Sequence, residues 1–434
     1  MSKEEKTQDK ASSKSWLQRL KEESWEAEVL VSTVAIFGTF QLFGFVNWVI
    51  NLFIDILPPS QYFIGYMIVF FGLVAVSILT SMFVLHFILR AYWVGLVGLN
   101  SVFPDYSLED SAYSEIYTQK ILAILPKLKD SIKKVDELCS VIFSAAFTFM
   151  LMYTYIALLS AVLLFLFNIL KQYVSETILM IPVYCMVVFL IIQMLVTLIA
   201  NLKYFKSNEK VQHWYFMSVK IGSLALMGPL YKSILQVSMI FGSNFKKKKS
   251  MVYLVMSCLV LGFVLTVIKI SSTNIPYLIG QEAYTDAMWV RSYYEVSNKE
   301  NEFLLTPEIA SDIVKEKVIK IFIPIYNYED AMSDKVCTEV TIDESLEKQV
   351  KRKELQKQKL NCYQTYHKIY VNDKEVEVPF FKHSHTRTNQ FGILGYISLE
   401  NPKKGMNTLK IKKIFNKEED TKEWSIPFYY TKDN

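Results

Sequence analysis

Few residues in this chain have the types and spacing that chemistry requires. His383 and His385 form its one close histidine pair, and two histidines in alternate positions of a strand can chelate a metal. No cysteine or third histidine stands beside them, so we interpret both as surface loop residues. The chain also lacks P-loop, GxSxG, HExxH, GxGxxG and CxxC motifs. The sequence therefore predicts no catalytic residue, no cofactor and no metal site, and it favours a protein that is not an enzyme.

Three polar residues recur at every fourth position of one apolar segment: Asn47, Asn51 and Asp55. On a helix they share a face, and a polar face within hydrocarbon must meet protein or water. One interpretation is a hydrophilic pathway of a channel or transporter. The other, which we favour, is hydrogen bonding between helices with Asp55 at the membrane interface.

A second polar pair, His86 and Arg90, is spaced i,i+4 at the end of the next apolar segment. These side chains suit a proton-transfer step or the binding of a lipid phosphate. We favour a simpler role as an interfacial anchor beside Tyr92 and Trp93, because aromatic and basic residues concentrate at membrane surfaces.

Cysteines divide by location. Three lie in or beside apolar segments, where a thiol behaves as a small apolar group. Cys337 and Cys362 are the two beyond residue 270, and an even pair in an oxidising compartment predicts a disulfide. Two unpaired thiols are the alternative. A bridge would close a 25-residue separation around the charged segment Asp343–Leu360.

The composition places most of these residues in a membrane. Hydrophobic residues make up 52% of the 434 positions and charged residues 21%, but the charge is uneven. Residues 1–270 carry 23 Lys/Arg and 17 Asp/Glu with several long uncharged stretches, whereas residues 271–434 carry 24 and 25 with none. This pattern excludes a soluble globular enzyme, a collagen-like fibre and a disordered chain, and it argues against nucleic-acid binding.

Five segments reach the roughly 20 apolar residues that a transmembrane helix needs. They are about 29–57, 62–89, 141–170, 178–202 and 252–268. A sixth stretch, Val211–Phe245, carries two lysines and a proline. We interpret it as interfacial or re-entrant, with a sixth span as the alternative.

The lysine distribution sets the orientation. The N-terminal tail 1–28 and the connections 91–140 and 203–250 are rich in Lys and Arg, whereas the intervening turns are poor in them. The positive-inside rule then predicts a cytoplasmic N-terminus and an extracytoplasmic C-terminal part. The basic run Lys246, Lys247, Lys248 and Lys249 is consistent with this orientation and faces lipid headgroups.

Residues 271–434 are long enough for one domain. Short segments rich in Ile, Val, Tyr and Phe, separated by turn residues, predict a β-sandwich-like fold with a helical insertion at 343–360. The predicted strands are Val318–Tyr326, Glu339–Ile342, His367–Val371, Glu375–Phe381, Gly392–Leu399, Thr408–Ile414 and Trp424–Tyr430. Val371–Lys374 reads as a hairpin turn with Asn and Asp at its centre.

Between the second and third predicted spans, a regular pattern predicts one long helix. Ile121, Leu125, Leu128, Ile132 and Val135 form an apolar stripe that runs into the third span, with Pro126 as a kink. Ser107 and Asp110 fit a loose capping box ahead of it.

The segment Arg90–Pro104 (RAYWVGLVGLNSVFP) resembles a stretch of uncharacterised multi-pass inner-membrane proteins of Gram-negative bacteria, and Ile309–Val314 is a second similarity. The resemblance implies a bacterial inner-membrane protein and no known activity. Together, these features predict a non-enzymatic protein that acts as a sensor, scaffold or subunit of an envelope complex through its outer β-domain. Its partners would be the lipid bilayer and a protein partner or a second copy. An oligomeric channel or transporter using the Asn47, Asn51 and Asp55 face is the alternative, and a lipid enzyme using His86 and Arg90 ranks third.

Overall fold

The structure is a computed structural model that describes residues 3–103, 113–170, 173–244, 249–284, 292–298, 302–330, 336–337, 348–400, 402–415 and 421–431. Its helices are α1 (Lys3–Ile56), α2 (Tyr62–Val102), α3 (Glu115–Ile124), α4 (Leu128–Leu170), α5 (Glu176–Asn201), α6 (Glu209–Met227), α7 (Tyr231–Asn244), α8 (Lys249–Ile270) and α9 (Lys348–Tyr366). Its strands are β1 (Glu308–Ile309), β2 (Ile313–Val314), β3 (Val318–Pro324), β4 (His367–Val371), β5 (Lys374–Glu375), β6 (Phe380–Ser384), β7 (Phe391–Ser398), β8 (Gly405–Ile414) and β9 (Thr421–Tyr430).

Two compact units make up the chain. The helical unit comprises Met1–Phe43 and Gly72–Val267, and the β unit comprises Gly44–Phe71 and Ile268–Asn434. This division does not follow a single boundary near residue 270, because the end of α1 and the start of α2 group with the strands. Helices α1 and α2 therefore contribute residues to both units.

Six helical segments of the described residues are long and apolar enough to cross a membrane. Five of them overlap the predicted spans, which supports a membrane protein. The sixth, Glu209–Phe241, covers the stretch that the sequence left open, and it is broken between α6 and α7 at Gly228.

The helical unit has its core around α2. Leu79, Met82 and Phe83 of α2 pack with Ile142 and Ala146 of α4 and with Cys258 of α8. The α2–α4 contacts run antiparallel, because Phe83 packs on Phe147 with ring centroids 5.6 Å apart, whereas Gly72 lies against Tyr153. Helix α2 thus contacts both α4 and α8, and the antiparallel pairing places Asp136 of α4 opposite Arg90 of α2.

One break separates two helices that the apolar pattern joins. The predicted single helix through residues 121–135 is wrong, because Leu125 leaves the helical conformation and Pro126 follows it. Proline cannot continue an α-helix without losing a hydrogen bond, and the residue before it disfavours that conformation. Helix α3 instead starts after its N-cap Ser114. The predicted capping box at 107–110 lies outside the described residues.

The β unit contains two sheets with strand orders β1-β3-β7-β6 and β2-β9-β8-β4-β5. Side chains from both sheets form one core, which includes Ile321 and Ile393 from the first sheet and Ile411 and Ile426 from the second. These residues alternate with outward positions along each strand, as a sandwich requires. The predicted β-rich fold is therefore present.

Most predicted strands are found within two or three residues of their predicted ends. Segment 375–381 is a correction, because it divides into β5 and β6 with no strand between them. Asn372 and Asp373 have φ of 49° and 65°, which confirms the hairpin turn. Strands β1 and β2 were missed because each has only two residues. Segment 339–342 lies outside the described residues.

Candidate functional site: a buried ionic cluster in the helical unit

Arg90 lies at the centre of a charged cluster formed by α1, α2 and α4. Its side chain is 2% exposed. Its Nη1 donates to Asp136 Oδ1 at 2.8 Å, and its Nη2 donates to Glu28 Oε2. The guanidinium also lies 4.8 Å from the centre of the Trp93 ring. One cation thus binds two carboxylates from two neighbouring helices.

His86 lies one helical turn before Arg90 and is fully buried. Its Nδ1 is 2.7 Å from Ser32 Oγ, and its ring packs on Phe143 with centroids 5.2 Å apart. Its Nε2 is 3.8 Å from Glu28 Oε2, which is too far for a hydrogen bond, and no other described residue bonds to it. The imidazole is therefore held at one nitrogen, with the other directed towards a carboxylate.

Helical spacing brings these groups together. Glu28 and Ser32 are one turn apart on α1, as are His86 and Arg90 on α2, so each pair lies on one helix face. Asp136 lies one turn before the buried Cys139 on α4. The cluster therefore ties three helices together.

The structure corrects one interpretation of these residues. His86 and Arg90 do not form an interfacial anchor, because both side chains are buried against other helices. The sequence analysis missed Glu28, Ser32 and Asp136. Glu28 immediately precedes an apolar run, and Asp136 lies in a segment rich in charges, so neither position stands out. The four-residue spacing of Glu28 and Ser32 was the available signal.

The stripe of Asn47, Asn51 and Asp55 lies in the part of α1 that belongs to the β unit. Asn51 Oδ1 accepts a hydrogen bond from Asn274 Nδ2 at 2.9 Å. The Asp55 carboxylate accepts from the backbone N and the Nδ2 of Asn327, at 3.1 and 2.5 Å. Asn47 is half-buried. Asn51 and Asp55 thus bind residues of their own chain, in the turn after α8 and in the loop after β3, and not the neighbouring helix that the packing interpretation expects.

Tyrosines pack around the turn between α1 and α2, the hairpin tip (residues 55–62). Tyr62 donates its hydroxyl to the carbonyl of Ile54 at 2.9 Å, and the backbone N of Tyr328 donates to the carbonyl of Asp55 at 3.0 Å. The Tyr62 ring packs on Tyr277 and Tyr328 with centroids 6.1 and 6.2 Å apart. Burial raises the pKa of the Tyr277 and Tyr328 hydroxyls, so both stay neutral at physiological pH.

Glu329, the residue after Tyr328, forms a buried ion pair with Lys413. Lys413 Nζ donates to Glu329 Oε1 and to the carbonyl of Pro324, both at 2.7 Å. Desolvation lowers the pKa of Lys413. Tyr366 donates its hydroxyl to Glu329 Oε2 at 3.3 Å, and burial raises the pKa of that hydroxyl. The Lys413 ammonium and the Glu329 carboxylate are thus both hydrogen-bonded within the fold.

The histidine pair lies at a shallow depression on the outer face of the first sheet. His385 Nε2 is 3.0 Å from Glu308 Oε1, and Arg387 Nη2 donates to Glu308 Oε2 at 2.6 Å. Asn298 Nδ2 donates to the same carboxylate at 2.5 Å. His383 lines the open side with Lys320 and others. His385 is buried rather than on the surface, which corrects the sequence interpretation. His385 and Arg387 connect the turn after β6 to Glu308 of β1.

The other predicted site residues have separate outcomes. Cys337 and Cys362 form the predicted disulfide, with Cα atoms 5.7 Å apart. Residues 246–248 of the lysine run lie outside the described residues, and Lys249 begins α8. Within the described ranges, no three His, Cys, Asp or Glu side chains come close enough to hold a metal ion.

The ionic cluster is the strongest candidate site, because ionisable side chains buried among apolar helices carry a cost that a function commonly explains. Comparison with family models, curated proteins and solved structures finds no match for this chain. Its function must therefore be argued from its own residues.

Proposed function

We propose that this chain is a non-enzymatic multi-pass protein of the inner (plasma) membrane that acts as a sensor or as a subunit of an envelope complex. Its β unit lies outside the cytoplasm and binds a partner. Helices α1 and α2 transmit the effect of partner binding from the β unit to the ionic cluster. Two features of α1 and α2 support this function. The turn between the two helices is bound within the β unit, and the same helices carry residues of the ionic cluster.

The observation that carries the proposal is the anchoring of the hairpin tip. Asp55 accepts hydrogen bonds from Asn327 and from the backbone N of Tyr328, which fix the tip within the β unit, and the Tyr62 ring packs on Tyr328. Helices α1 and α2 both continue from this tip beyond residues 44–71 into the helical unit. The same helices carry Glu28, His86 and Arg90. A tethered domain on a flexible linker would have no such connection.

Two observations support the orientation. The Cys337–Cys362 disulfide belongs to the β unit, and disulfides persist in oxidising compartments outside the cytoplasm. The connections rich in lysine and arginine alternate with poor ones, as five spans with a cytoplasmic N-terminus require.

The contacts of α6 and α7 support a re-entrant hairpin instead of a sixth span. Gln212 Nε2 donates to the carbonyl of Ala200 at 2.9 Å, so α6 starts beside the end of α5. Gly228 then turns the chain with a φ of 50° against Tyr155, midway along α4. Leu254, near the start of α8, packs in the core that contains Leu85 and Leu89 of α2. The chain thus leaves α5 and enters α8 at the same end of the bundle.

The topology is tested by reporter fusions to the full chain. A periplasm-active reporter after Asn434 and a cytoplasm-active reporter after Phe245 should both be active. Activity of a cytoplasmic reporter at Asn434 would overturn the five-span orientation, and with it the external β unit.

The functional test is purification of the intact protein from its native membrane in mild detergent. A sensor or subunit should retain a defined partner at fixed stoichiometry, identified by mass spectrometry. Ion flux through the purified protein in liposomes tests the alternative channel. Flux that disappears in Asn51→Leu and Asp55→Ala, with protein abundance unchanged, would refute the proposal and establish a pathway along that face.

A further inference from the structure

Helix α9 carries a concentrated positive charge on an exposed surface. Residues 351–359 contain Lys351, Arg352, Lys353, Lys357 and Lys359 against one acid, Glu354. Among the described residues, Lys359 is the one basic side chain of this segment with an acidic partner, Asp330, at 3.2 Å. Both members of that pair are about half exposed, so water and salt weaken it.

The first turns of this helix are largely exposed, and no described residue is seen to cover Val350 or Leu355. Val350 and Leu355 are 46% and 38% exposed, whereas Tyr363 and Tyr366 at its C-terminal end are buried in the core of the β unit. The Cys337–Cys362 disulfide fixes the same end. The fold therefore holds one end of α9 firmly and presents the basic turns to solvent. A polar helix without a packed face has marginal stability in water, and a bound partner would stabilise it.

The angular distribution of the charges indicates what kind of partner fits. At about 100° per residue, Arg352 and Lys359 share one side of the helix, Lys357 lies about 140° away, and Lys351 lies about 100° away in the other direction. A flat bilayer reaches one side only. Helices that lie on membranes also carry an apolar face with Trp, Phe or Leu, and residues 349–359 offer only the isolated Val350 and Leu355.

We propose that residues 349–359 of α9 dock an acidic polypeptide that surrounds the helix, and that this is the partner surface of the β unit. The partner is a protein segment or cleft rich in Asp and Glu, which can neutralise charges on several sides. The inference rests on the proposed function only in placing α9 outside the cytoplasm. Its binding test uses purified protein and can fail while the topology stands.

Hydrogen exchange of the α9 amides in the full-length protein gives a local readout that other basic segments do not obscure. Poly-L-glutamate at low salt should slow exchange within residues 349–359, and high salt should abolish this protection. The variant Arg352→Gln/Lys353→Gln/Lys357→Gln should bind about tenfold more weakly, since three exposed charge contacts are lost. Glutamine keeps the helix propensity of these positions.

The matched control is Lys317→Gln/Lys403→Gln/Lys404→Gln, which removes the same charge from exposed positions elsewhere in the β unit. It should keep the affinity of the unmodified protein. Unchanged exchange on adding poly-L-glutamate would overturn the proposal, as would equal loss in both variants. Protection by phosphatidylglycerol nanodiscs but not by poly-L-glutamate would assign α9 to the membrane surface instead, and protection that rises with protein concentration alone would assign it to a second copy.

Discussion

Replacing Arg90 with methionine removes the only guanidinium of the ionic cluster and keeps a side chain of similar length. Glu28 and Asp136 then lose their shared partner while their side chains stay only 16% and 25% exposed. Breaking a buried ion pair by removing one member costs about 3–5 kcal/mol. Because both carboxylates retain some access to water, we expect the lower end of that range, at least about 3 kcal/mol.

The assay is thermal unfolding in lipid nanodiscs, combined with the rate at which a thiol reagent modifies Cys139. This thiol is buried one turn after Asp136, so its reactivity reports separation of α4 from α1 and α2. Mass spectrometry assigns the modification to Cys139. Arg90→Met should lower the unfolding temperature and raise the labelling rate. Lys129→Met, an exposed change on α4, the helix that carries Cys139, should do neither.

A compensated variant separates charge from packing. If the loss comes from buried carboxylates that no longer contact Arg90, adding Glu28→Gln and Asp136→Asn to Arg90→Met should recover most of the stability, because neutral side chains tolerate burial better. Stability and Cys139 labelling that do not change in Arg90→Met would refute the view that the cluster holds three helices together.

Three further predictions concern the β unit. The double change Cys337→Ser/Cys362→Ser should cost about 3 kcal/mol for a loop of this length, measured by denaturant unfolding with and without reductant. Burial holds the pKa of His367 well below the free value, with Lys413 adding to the effect, so below pH of about 6.5 the unfolded chain binds a proton that the folded chain refuses. Stability should therefore fall as pH drops, with this residue adding up to about 1.4 kcal/mol per pH unit; His367→Gln should remove that slope, and an unchanged slope would contradict the assignment. Tyr62→Phe should cost about 1 kcal/mol by losing its hydrogen bond, whereas the half-buried control Tyr66→Phe should cost less.

The length of the uncharged apolar runs predicted the long helices, and alternation of apolar residues predicted most strands because one face of each strand is buried. The apolar runs become α1, α2, α4, α5 and α8, and alternation from Thr408 to Ile414 becomes part of β8. The turn was predictable because Asn and Asp tolerate positive φ. The disulfide was predictable because Cys337 and Cys362 are the two cysteines beyond residue 270. Pro126 shows the limit, since a proline can kink a helix or end it, and the sequence does not decide which.

The buried charges could not be predicted because each depends on a partner distant in sequence. Glu28 meets Arg90 across 62 residues, and Glu329 meets Lys413 across 84. Lys413 did offer a signal, because it continues the inward positions of Leu409 and Ile411 on β8. A lysine at an inward position requires a buried acid, but nothing in the sequence identifies Glu329 as that acid.

The most direct test of the proposed function asks whether the hairpin tip and the ionic cluster communicate. Asn327→Ala removes a side-chain hydrogen bond to Asp55 in the β unit, and Asn361→Ala is a matched exposed change on α9. The measurement is the labelling rate of Cys139 in lipid nanodiscs, at a temperature where all three proteins are folded. The account predicts that Asn327→Ala changes this rate and that Asn361→Ala leaves it unchanged. Equal rates in all three proteins would contradict a sensor that transmits through α1 and α2.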